Sequence, residues 1–134
     1  MNRIICRRLR RGQDLLKEIQ SIAAEEKLMG AVVLSAVGCL SRASVRDASG
    51  VTVRQVEEPC EIVSLMGTVS DARCHLHISL SREDLSTLGG HLMPGSIVNT
   101  TCELVLMETG WHYGLEDDPD TGYDEILFSE RKPQ

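Results

Sequence analysis

Three of the four histidines, His75, His77 and His91, fall close together in the chain. Imidazoles are metal ligands, and two of them one strand repeat apart can both reach a single ion. His75 and His77 lie in C-H-L-H-I-S-L-S. In an extended strand this places Cys74, Leu76, Ile78 and Leu80 on one face and His75, His77 and Ser79 on the other. His91 follows Gly89-Gly90, which reads as a turn whose backbone reaches conformations closed to other residues. The geometry permits a three-histidine site, and it equally accommodates ordinary half-buried histidines of a sheet.

Other residue types add less. Glu103 stands in the strand Ser96 to Glu108, with Val98, Cys102, Leu104 and Leu106 on one face and Asn99, Thr101 and Glu103 on the other. An interior carboxylate is costly unless paired, so Glu103 is either an arginine's partner or part of the site. The five cysteines are scattered and lack a C-x-x-C, which fits reduced thiols without a catalytic part. The acidic run E-D-D-P-D-T-G-Y-D-E does not match an EF-hand and reads as a solvated loop. No general base, nucleophile motif or phosphate-cradling glycine loop is legible, so catalytic residues are not assigned and the reading leans away from an enzyme. A metal-dependent enzyme acting on a small molecule stays as an alternative.

The elements that must position these residues follow from periodicity. Residues 3–10 alternate as a first strand. A helix runs from about Gln13 to Leu28, with the stripe Leu15, Ile19, Ile22 and Ala23, Asp14 in its first turn and Gly30 as its stop. Ala31 to Leu40 is an apolar strand covered on both faces. A hairpin through Asp47-Ala48-Ser49-Gly50 then carries Arg42, Arg46 and Arg54 on a face that is either solvated or open to an anion. A second hairpin, Cys60 to Leu80, turns at Asp71-Ala72, so that Thr68 opposes His75 and Met66 opposes His77. In that register Val63, Leu65 and Val69 share the core face, while Ile62, Ser64, Met66 and Thr68 join the histidines. A connection leads to the long strand, and Ile126 to Phe128 form a short last one.

With 134 residues and 42% hydrophobic composition, residues 1–134 are expected to form one domain, with a core over 3–128 and a frayed tail over 129–134. Aromatics at 3% leave little surface for stacking bases. The net charge of −6 is uneven, since five arginines precede residue 12 without an acid, leaving nine basic against twenty acidic residues. That acidic remainder repels a phosphate backbone, while Arg7, Arg8, Arg10 and Arg11 concentrate positive charge at the start. The start lacks the apolar run of a signal peptide and no stretch is long enough to span a bilayer, so a soluble cytoplasmic protein without a membrane partner is expected.

Gly12-Gln13-Asp14, Ala36-Val37-Gly38, Glu61-Ile62-Val63-Ser64-Leu65 with Gly67, His75-Leu76-His77, Gly89-Gly90-His91-Leu92, Glu103 and Thr121-Gly122-Tyr123 come in the order seen in the PPC ("plants and prokaryotes conserved") domain, which the whole chain resembles. The resemblance implies an α+β fold, a curved, mostly antiparallel, barrel-like sheet with one main helix packed on it, assembled as a homotrimer. It implies that His75, His77 and His91 are ligands of zinc or another divalent metal, with Glu103, Thr68 and Met66 around a small-ligand pocket or subunit interface. Plant relatives join this domain to AT-hooks, and prokaryotic members carry a DNA-binding label. No such hook is present here, so DNA binding is the alternative reading.

Overall fold

Residues 3–132 are described by the computed structural model. Strand β1 (Ile4–Arg10) turns Ile5 and Leu9 inward and leads, through Gly12 at φ 88°, to helix α1 (Leu15–Glu25). Asp14 is the N-cap rather than a first-turn residue, its carboxylate accepting from the Lys17 backbone N–H at 3.1 Å. The same carboxylate accepts from the Gly95 N–H at 2.7 Å, tying the helix start to a distant loop. Leu15, Leu16, Ile19, Ile22 and Ala23 bury the helix stripe. The helix ends before the expected Leu28, at a Glu26 cap followed by Lys27 in the left-handed region at φ 52°. Gly30 serves another purpose, because a Cβ there would stand 2.4 Å from the Trp111 carbonyl oxygen.

Strand β2 (Ala31–Arg46) runs unbroken through the expected end at Leu40, and its second half pairs with β3 (Val53–Val56). Strands β4 (Cys60–Val69), β5 (Cys74–Ser81), β6 (Thr87–Leu92) and β7 (Ile97–Glu108) complete an antiparallel sheet of order β1-β7-β2-β4-β5-β6. The sheet curls until β6 meets the end of β2 through Val45↔Leu92 and Arg46↔His91. That closure is too short to make a true barrel. One continuous core fills the concave side, where α1 packs against β4 and β5.

The β4–β5 register matches the turn at Asp71-Ala72, with Ser70 N–H donating to the Arg73 carbonyl at 2.9 Å and Val69 opposite Cys74. A bulge between Ile62 and Ser64 changes two assignments: Ile62 is buried and Val63 is 59% exposed, the reverse of simple alternation.

Two further expectations are corrected. The acidic loop is a hairpin, β8 (Trp111–Asp118) with β9 (Tyr123–Glu130), so the strand extends beyond Phe128 and takes in residues 129 and 130 of the supposed tail. Acidic residues are poor strand formers, and Glu116 even pairs across from Glu125; tertiary context overrides propensity here. Positions 133 and 134 of that tail lie outside the described residues. Gly89 and Gly90 are strand residues of β6, not a turn. Their small size is what counts, since a Cβ would stand 2.2 Å from the Ile78 carbonyl at Gly89 and 2.6 Å from the Arg46 carbonyl at Gly90.

Candidate metal centre

His75 and His77 alternate on β5 with buried Leu76 and Ile78, which anchor the strand to the core and send both imidazoles outward. His91 on β6 is the direct cross-strand neighbour of His77. The three rings meet on the outer face of the sheet. Their centroids are 5.2 Å apart for His75 and His77, 5.1 Å for His75 and His91, and 5.5 Å for His77 and His91. One ring nitrogen from each lies within 4.8 Å of the others. Two bonds of about 2.1 Å to one zinc ion span roughly 3–4 Å, so modest side-chain rotation brings the three nitrogens to a common ion. The Nδ1 of His91 is buried and has no hydrogen-bond partner.

Burial lowers the pKa of His91 to about 4, with further repulsion from Arg46, His75, His77 and Arg73. His75 is lowered by burial, then by His77 and Arg73. Both rings are therefore neutral at pH 7, with lone pairs free for a cation.

Thr68 and Met66 lie directly across from His75 and His77 and line a cleft of about 260 Å³ with them and Gly67. Glu103 is elsewhere. It is exposed, not interior, and pairs in register with Val37 of β2 and Arg8 of β1. Val37 is nine positions along β2 from Arg46, the residue opposite His91, or roughly 25–30 Å at the rise of a strand. Nor does Glu103 have an arginine within ion-pair distance among the described residues.

Arg7 stands apart from the other candidate arginines of the N-terminus. Arg7 faces the helix and pairs with Glu26, which also holds Arg3 at 2.8 Å, while Arg8, Arg10 and Arg11 are exposed. All five cysteines are free thiols, and burial pushes Cys74 and Cys102 up to about 11, which makes them inert.

Sequence reasoning missed what surrounds the imidazoles on their other side. A cleft of about 540 Å³ runs from His75 and His91 to Arg46, Arg73 and the hairpin residues Tyr123 and Glu125. The sequence places Arg46 among several arginines on a face either solvated or open to an anion but does not place it beside His91, which is 45 residues away in sequence.

A curled antiparallel sheet on one helix, carrying three convergent imidazoles on its outer face, defines a small α+β domain with a candidate metal centre. The model of the Plants and Prokaryotes Conserved (PCC) domain matches residues 1–110, and the chain belongs to that family. It is 38% identical over 120 residues to the bifunctional protein GlmU of a Synechococcus strain, a match covering 89% of this chain and 19% of that protein. The chain thus spans about a fifth of the length of the curated relatives it matches. A structure of a hypothetical protein from Salmonella enterica superposes with a TM-score of 0.94 at 30% identity, covering 98% of this chain and 96% of the other. A metal-containing protein from Archaeoglobus fulgidus gives a TM-score of 0.77 at 28% identity, with 93% of each chain covered.

Proposed function

We propose that this chain is a metal-binding member of the PCC family in which His75, His77 and His91 hold one divalent cation, zinc by the character of the donors. The observation that carries this reading is the convergence of three imidazoles, one ring nitrogen from each within 4.8 Å of the others, with the Nδ1 of His91 buried and unpartnered. A buried acceptor or donor without a partner is costly, and a cation shared with His75 and His77 satisfies it. A divalent ion held there supplies a Lewis-acidic position open to one further ligand. The chain's own part is to keep His75 and His91 neutral by burial and to flank the rings with Thr68 and Met66.

The protein acts in this reading as a homotrimeric binding or sensing domain. Exposed apolar side chains at Leu34, Val37, Val63 and Met66 supply surface that neighbouring copies would cover. Elemental analysis of protein made without a polyhistidine tag tests the metal, and one ion per chain, lost in His77→Ala, is expected. Absence of stoichiometric metal removes the site. Sedimentation equilibrium tests the assembly, and a mass of 14.8 kDa, that of one chain, removes the trimer.

DNA binding through Arg7, Arg8, Arg10 and Arg11 is the second reading, favoured only by the exposure of Arg8, Arg10 and Arg11. It requires a duplex mobility shift that weakens steeply with salt and vanishes when these arginines are neutralised. No retardation at low salt removes it.

A further inference from the structure

We propose that the metal centre takes a small ligand bearing an oxyanion, a carboxylate or phosphate group, gripped by Arg46 and Arg73 in the cleft beside His75 and His91. This rests on the metal reading above and names the ligand chemistry of that same site.

The geometry comes from three elements. Arg46 ends β2 directly opposite His91. Arg73 follows the β4–β5 turn two residues before His75, and its Nη1 donates to the Asp124 carbonyl oxygen at 2.7 Å, holding the guanidinium against the β8–β9 hairpin. The hairpin closes the cleft with Leu115, Tyr123 and Glu125, giving about 540 Å³, the size of a small-molecule site.

Arg46 and Arg73 are partly exposed residues of the cleft wall, and neither has a carboxylate within ion-pair distance among the described residues. Arg3, Arg7, Arg54, Arg82 and Arg131 each have one, and the other arginines without one, Arg8, Arg10, Arg11 and Arg42, are exposed residues outside the cleft. A guanidinium presents a planar fork of donors matched to carboxylate or phosphate, and the bond from Arg73 to the Asp124 carbonyl uses only part of that fork. The two carboxylates lining the cleft, Asp124 and Glu125, offset only the two arginines. An imidazole that ligates a metal does so as the neutral ring and brings no charge, so a divalent ion would leave the cleft with two uncompensated positive charges. One oxygen of Glu125 accepts from the Thr121 hydroxyl at 3.0 Å, and its charge also acts on His75. An incoming oxyanion that meets the ion's open position and the two arginines together supplies the missing negative charge.

The test is an NMR titration of zinc-loaded protein with inorganic phosphate and, separately, with acetate, following the Nε–H signals of Arg46 and Arg73 alongside zinc content. Saturating shifts are expected with at least one probe, phosphate pointing to a tetrahedral ligand group and acetate to a planar one. Affinity should fall about tenfold or more in Arg46→Gln, the scale of one charge-assisted hydrogen bond, and similarly when zinc is stripped. Arg73→Gln should weaken binding alike. One zinc per chain without saturating shifts overturns this inference and leaves the metal centre standing. Failure to hold zinc overturns the metal reading and this inference with it. A loss of zinc affinity in Glu125→Gln shows the chain's own carboxylate at the open position and also overturns it.

Discussion

Arg46 and His91 face each other across the two residue pairs that join β2 to β6. His91 in turn faces His77 on its other side, so a guanidinium and two imidazoles share one row across three strands. The metal centre and its cationic neighbour are therefore products of the same sheet closure, and perturbing that closure should disturb both.

Removing one imidazole should cost more zinc affinity than losing an outer partner does, that is, more than about 10–100-fold. His77→Gln is the test by competition with a chromogenic chelator. Because His77 is exposed, its thermal midpoint without metal should match that of metal-free wild type.

Gly90→Ala should destabilise the fold by about 1–3 kcal/mol, since its methyl group would stand 2.6 Å from the Arg46 carbonyl oxygen and push β2 from β6. Zinc affinity should fall with it. Gly110→Ala, where nothing lies within 4 Å, should stay within about 0.5 kcal/mol of wild type in urea unfolding.

Asp14→Ala should cost about 0.5–2 kcal/mol through the lost N-cap. Asp14→Asn should recover most of the bond to Lys17 but weaken the bond from Gly95. Denaturant titration of the three proteins, with amide exchange at Gly95, separates the two contributions.

The Asp47 carboxyl is lowered from 3.8 to about 2, first by the Ser49 hydroxyl and then by Arg54. A depressed folded value means that the stability it contributes is present above the unfolded value and is lost as pH falls from 3.8 through about 2. Carboxyl carbon-13 titration should show this midpoint, and Ser49→Ala should raise it. A wild-type midpoint near 3.8 would contradict the hydrogen-bonded turn.

Strand alternation and turn chemistry are local, and they were enough to set His75 and His77 on one face, to oppose them with Thr68 and Met66, and to place α1 and the family. The strand nature of the acidic β8–β9 segment was not legible, because acidic residues favour loops and only packing beside Arg73 explains their course. Nor was the displacement of Val63 by a bulge, or the exposure of Glu103 far from the histidines. Above all, residue order alone does not say that β6 returns to β2. That contact pairs Arg46 with His91 through a sheet that curls over many residues, and only the folded chain decides which charges surround the three imidazoles.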